Sequence, residues 1–220
     1  MFNLFKKKPL SRKERSIKFL EKKGVKVNYN LPNIESDDET TIRTPKEIAQ
    51  RVTILAVTNL VAFSAITSEQ AIEYLKSHKL WQYVTPDEIK FLNHPTDERK
   101  NQESWKCEGI WTLLWALKIV DELDYPNTMC DLNEIPIEQY PTQPGKDPNI
   151  FIDKSHTIRS KKEILDANDL YYRFDWACVD ARLNNHELNV HPGVVYERHY
   201  ALNWLINYLD LDWDDVSCDT

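Results

Sequence analysis

Glycine is scarce in this 220-residue chain, with one each at positions 24, 109, 145 and 193. A phosphate-cradling loop or a dinucleotide fingerprint needs several glycines within a few residues, because the backbone must approach the anion closely. Spacings this wide exclude both. The same scarcity argues against a turn-rich β design, whose hairpins favour residues with positive φ. Cysteine is sparse too. Cys107, Cys130, Cys178 and Cys218 form no Cys-x-x-Cys pair, and no Gly-x-Ser-x-Gly elbow occurs. Neither a zinc ribbon nor an α/β-hydrolase nucleophile is therefore spelled out. Long apolar runs are missing as well. The uncharged stretch VTILAVTNLVAFSAITS (52–68) is shorter than the roughly 20 apolar residues a membrane span needs, and it is interrupted by Thr, Ser and Asn59. It reads as a buried helix. Scattered thiols and the lack of a secretory-type segment point to reduced cysteines in a cytoplasm.

Charge is unevenly distributed. Residues 1–26 hold ten Lys/Arg against Glu14 and Glu21, a net of +8, and the remainder holds 18 basic against 33 acidic residues, a net of −15. A body this acidic repels nucleic-acid phosphates and attracts basic proteins. The basic start reads as a solvated tail. Its Phe2, Leu4, Phe5 and the following lysines offer at most weak peripheral contact with anionic lipid, without stable insertion.

Helix signals are abundant. Thr44-Pro45-Lys46-Glu47 supplies an N-cap, a proline at the first helical position and a glutamate three residues after the cap. Thr85-Pro86-Asp87-Glu88 repeats this, Ser160–Glu163 is a third capping box, and Thr67 with Gln70 a weaker fourth. From these starts and the apolar periodicity, helices are expected at 11–23, 45–64, 68–78, 86–93, 102–122, 161–184 and 193–209. The 102–122 helix, apolar almost all round, should form the centre. Residues 124–155 hold five prolines and read as an irregular crossover, in which NIFI (149–152) is the one strand-like run. The expected fold is all-α. It is a single-domain orthogonal helix bundle over 11–220 behind a basic tail at 1–10, with the crossover as the one place for a short hairpin.

The C-terminal DLDWDDVSCDT (210–220) begins like a calcium loop, with Asp210, Asp212 and Asp214 at ligand positions 1, 3 and 5. Position 6, where the turn needs glycine, is Asp215, and the sequence stops before the closing glutamate. The tail is better read as structural, with Trp213 buried and Asp214 accepting hydrogen bonds from a helix start or an arginine. HELNVH (186–191) spaces its histidines by five, one too many for a zincin helix. No metal and no cofactor are expected. A Cys178–His199 nucleophile pair is weighed and set aside, because a buried helical cysteine is usually inert packing.

What is left is charge among tryptophans. Asp169, Arg173, Trp176 and Asp180 share one stripe of the 161–184 helix, and Glu197, Ala201, Trp204 and Tyr208 another on the last helix, with Arg198 and His199 beside it. The candidate set is Glu108, Arg159, Asp169, Arg173, Glu197, Arg198 and Asp214 among Trp105, Trp176, Trp204 and Trp213. Such residues can build a pocket in which arginines clamp an anion or a carboxylate acts as base. They can equally form ion pairs that tie helices together, and helical domains of this size commonly hold such networks.

The segments RSIKFLEKKGVKVNYNLPNIE, RTPKEIAQRV, WKCEGIWTLLWALKIVDEL, IRSKKEILDANDLYYRFDWACVDA, VYERHYALNWLINY and DWDDVSCDT resemble, in order, the bacterial family called domain of unknown function 4272. The likeness runs from about Arg15 to Thr220 and is poor across 124–155. Trp105 and Glu108 match its Trp-x-x-Glu, and Arg159-Ser160 its Arg-Ser before an Ile-Leu-Asp run. Trp176, Glu197, Arg198, Trp204, Trp213, Asp214 and the terminal Asp219-Thr220 also fall on its pattern. The resemblance implies a bacterial, cytoplasmic protein and no particular activity.

Two functions are expected from different classes. The first is a non-enzymatic acidic module that binds a basic protein partner, for instance neutralising a basic effector. The second is a hydrolase using Glu108 or Glu197 as base with Arg173 or Arg198 as clamp. Whether these side chains face open space or only one another separates the two.

Overall fold

A computed structural model describes residues 9–218. The basic stretch at 1–8, with its expected lipid contact, and the terminal Asp219-Thr220 lie outside the described residues. The helices are α1 (Arg12–Lys22), α2 (Pro45–Ala62), α3 (Ser68–Ser77), α4 (Pro86–Asn93), α5 (Asp97–Ser104), α6 (Cys107–Ala116), α7 (Pro148–Lys154), α8 (Lys161–Asn184) and α9 (Pro192–Leu205). No strand occurs among the described residues. The fold is all-α.

Capping decides where the helices begin. Thr44, Thr67, Thr85 and Ser160 each accept the N–H of the residue three further on at 3.3 Å, and that residue's side chain accepts the cap's own N–H at 2.8–2.9 Å. Ser11 and Glu14 form a fifth capping box at α1. Each satisfies N–H groups that a helix start leaves without partners, and losing the cap costs about 1 kcal/mol.

Two expectations about the middle of the chain are corrected. The 102–122 helix is two helices, α5 and α6. At the junction Trp105, Lys106 and Glu108 donate to carbonyls only three residues back, at 3.1–3.3 Å, which tightens the turn. Asn59 of α2 donates its side-chain amide to the carbonyls of Glu103 and Ser104, both at 3.3 Å, satisfying groups at the end of α5. α6 then stops at Ala116, with Lys118 in the left-handed region at φ 62°. The crossover holds no hairpin. NIFI lies within helix α7, which Asp147 caps through the N–H of Asn149 at 2.9 Å.

The uncharged 52–68 stretch builds most of α2, which is buried on nearly every side and packs against α3, α5, α6 and α7. No helix among the described residues is long and apolar enough to cross a membrane. α6 lies between α2 and α9, and α9 packs along α8. One hydrophobic cluster runs through this arrangement, including Leu20, Ile48, Leu55, Leu113, Phe174 and Trp204. α1 docks on α8 through charge as well as apolar contact. Asp166 of α8 meets Arg12 at 3.1 Å and Arg15 at 2.5 Å, and Asp180 meets Lys26 at 2.7 Å. Part of the charge asymmetry in the sequence is thus neutralised inside the molecule.

Candidate functional site

The charged residues singled out from the sequence do not converge on one open pocket. Arg198 of α9 donates from Nε to Glu108 Oε2 at 2.7 Å, and from Nη1 to the Asp124 carbonyl at 2.8 Å and the Tyr171 hydroxyl at 2.9 Å. The other Glu108 oxygen accepts the Cys130 N–H at 2.6 Å, and both side chains are buried. Burial opposes the charge on Arg198, but Tyr171 and Glu108 hold its pKa above the ordinary value. Asp169 and Arg173 pair bidentately at 2.7 and 3.0 Å, also buried, and Arg173 donates further to the Pro32 carbonyl. Arg159 closes the end of α6 by donating to the carbonyls of Trp115, Val120 and Asp121 while its guanidinium stacks on the Trp115 ring at 4.8 Å. These are ties between segments. A buried charge without its partner would cost several kcal/mol, so each arginine is fixed by the acceptors around it.

Other members of the set are equally placed by packing. Trp105 lies against Gly193, where an added Cβ would come within 2.9 Å of the indole, and its ring is 5.0 Å from that of His191. Trp176 is half-buried beneath Lys26. Glu197 differs from the rest, being half-buried with no hydrogen bond or ion pair among the described residues. Burial pushes its carboxyl up to about 7, with Glu103 and Glu108 adding to the effect and Lys106 opposing it.

Trp204, Trp213 and Asp214 do meet open space. The segment after α9 turns back along α2 and α4 and leaves a groove of about 750 Å³. Trp213 packs edge-on against Trp204 at 5.4 Å and Tyr200 at 5.2 Å, and Tyr200 donates its hydroxyl to the Trp213 carbonyl. Asp214 Oδ2 accepts the Asp87 N–H in the first turn of α4 at 2.9 Å. The tail is therefore anchored as expected, by a buried indole and a helix-start hydrogen bond. Behind it Arg51 donates from Nη2 to both oxygens of Glu88, at 2.7 and 2.8 Å, and stacks over Trp213. Arg43 stacks on Trp204 at 4.4 Å and donates to the Trp204 and Leu211 carbonyls. Burial lowers the pKa of Arg43, against which Glu47, Asp212 and Asp210 act. Tyr83 is exposed at the rim. Asp212 and Asp215 are exposed there too, and their carboxylates take no ion pair among the described residues.

A family model described as "Domain of unknown function (DUF4272)" matches residues 12–216. The chain belongs to this family. Membership in DUF4272 covers nearly every described residue and brings no activity with it. No curated protein and no solved structure is significantly similar to the chain.

Several groups in this DUF4272 chain escaped the sequence reading. Arg51 sits at the edge of the apolar 52–68 stretch, and Glu88 was accounted for as a cap, so their pairing gave no signal. The fold also gathers two clusters with metal-ligand chemistry, Cys107 with Glu108 and Cys130, and Asp175 with His199 and Cys218. Each draws on segments far apart in sequence, which short-range motifs cannot reveal. Within the first, a hydrogen bond with Cys107, then burial and the neighbouring Glu108, push the Cys130 thiol up.

Proposed function

We propose that this protein is a non-enzymatic binding module whose groove between α2, α4 and the C-terminal segment takes a Lys/Arg-rich segment of a protein partner. The observation that carries the reading is the pair of exposed carboxylates, Asp212 and Asp215, which take no ion pair among the described residues and share the groove with the exposed ring of Tyr83. An arginine or lysine can lay its apolar stem on the Tyr83 ring while its head reaches a carboxylate. The groove's own arginines are already committed to carbonyls and to Glu88, and its lining sets Arg43, Arg51 and Lys90 against Glu47, Asp87, Asp212, Asp214 and Asp215, a net of −2. The −15 body adds long-range steering of a basic partner.

The hydrolase alternative loses support because the Glu108 and Arg173 groups it needed are closed on themselves. It would rest on Glu197 alone, which stands apart from the groove. A bacterial cytoplasm is the setting we infer, from the family resemblance and the scattered thiols. The test is calorimetric titration of the full chain with three short peptides of equal length, one Lys/Arg-rich, one uncharged and one acidic. The basic peptide alone should bind, and more weakly as salt rises. Binding of the acidic peptide, or of none, would overturn the reading.

A further inference from the structure

We propose that Asp175, His199 and Cys218 form a binding site for a divalent transition-metal ion of the zinc class. Asp175 lies on α8, His199 on α9, and Cys218 on the segment that follows. One ligand atom from each lies within 4.8 Å of the others. His199 Nδ1 and Asp175 Oδ2 are 3.2 Å apart, and both residues are buried. Zinc holds N, O and S donors at about 2.0–2.3 Å in a tetrahedron, so its ligand atoms stand roughly 3.3–3.7 Å from one another. The Asp–His edge already has nearly that length. The Cys218 thiol, 3.9 Å from the Tyr196 carbonyl, completes the set within the same 4.8 Å.

Donor chemistry narrows the ion. A thiolate, an imidazole and a carboxylate together suit zinc, whereas magnesium and calcium take oxygen ligands throughout. Binding would release the thiol proton to solvent and set a cation beside the Asp175 carboxylate. The supporting scaffold is built in. Asn168 donates to Asn203 Oδ1 at 2.7 Å, and Asn203 donates to the Ser217 carbonyl at 2.8 Å, fixing the backbone next to Cys218. The buried Trp213 and Val216 hold the same segment from the other side. His199 also lines a pocket of about 120 Å³ with Asn168, Tyr172 and Asn203.

The other cluster is the natural control. Both Glu108 oxygens are occupied, one by the Arg198 guanidinium at 2.7 Å and one by the Cys130 N–H. A fixed positive charge on the only carboxylate there repels a second cation. The two clusters can be told apart with Co²⁺ as probe, because a thiolate bound to cobalt adds a charge-transfer band in the near ultraviolet and tetrahedral coordination intensifies the visible bands. The chelator-stripped full chain should develop both on addition of one equivalent of Co²⁺ and lose them when Zn²⁺ is added. Cys218→Ser should abolish the near-ultraviolet band while its metal-free melting temperature stays that of the unmodified chain, since Cys218 is only half-buried. Asp175→Asn should weaken binding, and a Cys107→Ser/Cys130→Ser double variant should keep the band. Absence of any band in the unmodified chain, or a band that survives Cys218→Ser, would overturn the proposal.

Discussion

Replacing Trp213 by alanine tests whether the C-terminal segment is part of the core. The side chain is 3% exposed, touches Tyr200 and Trp204 edge-on, and passes over Gly109 of α6. Burying roughly 200 Å² of aromatic surface at about 25 cal/mol per Å² is worth some 5 kcal/mol as an upper value. Alanine retains a little of that, and measured losses for buried aromatic truncations are about 3–5 kcal/mol. With a urea slope of about 2–3 kcal/mol per M for a chain of this size, the midpoint should fall by about 1–2.5 M. Equilibrium urea unfolding followed by far-ultraviolet circular dichroism reads this directly. Trp213→Phe should lose less, because it keeps most ring contacts and removes an indole N–H that is buried without a hydrogen-bond partner. A midpoint for Trp213→Ala within about 0.3 M of the unmodified chain would refute the reasoning. The tail would then be an appendage.

Glu108→Gln should destabilise by about 3–5 kcal/mol, because it leaves Arg198 buried beside a neutral amide; the same urea experiment checks it. Acid should undock α1. Burial raises the Asp166 pKa, but hydrogen bonds from Lys162, Arg15 and Arg12 outweigh that and hold it below the ordinary 3.8. The contribution of a depressed carboxyl is present above its unfolded value and lost as pH falls through the folded one. Amide-exchange protection factors in α1, taken relative to the intrinsic rate at each pH, should therefore fall below about pH 4 in the unmodified chain, and already be low at neutral pH in Asp166→Asn. Equal α1 protection at pH 3 and pH 6 would contradict this.

Much of the scaffold was legible because helix starts are written in local chemistry. Ser160 and Glu163 fixed the start of α8, and its 24 residues run from Lys161 to Asn184 as the periodicity required. The same logic, applied further, would have found α7, since Asp147-Pro148 is the cap-plus-proline arrangement of Thr44-Pro45. The break between α5 and α6 was not legible. Apolar spacing continues through Trp105 while the hydrogen bonds tighten, and the group that relieves the break, Asn59, comes from another helix. The groove was legible only in part for a similar reason. Trp204, Trp213 and Asp214 stood out as aromatics and acids in the C-terminal stretch, but Arg43, Arg51 and Tyr83 join them through tertiary packing alone. Charge stripes on α8 and α9 marked residues that matter to the fold. They could not tell a closed pair such as Asp169–Arg173 from an open site.

Asp212 and Asp215, which take no ion pair among the described residues, are the groups proposed to recognise a basic partner segment. The most direct measurement is the affinity of a Lys/Arg-rich peptide for the Asp212→Asn/Asp215→Asn chain relative to the unmodified one, by calorimetry at low and at physiological salt. Each exposed contact is worth about 0.2–1 kcal/mol, so losing both should weaken binding by roughly 2- to 30-fold. The loss should be greater at low salt, with the melting temperature unchanged because both side chains are exposed. Equal affinity for the two chains at both salt concentrations would contradict the account.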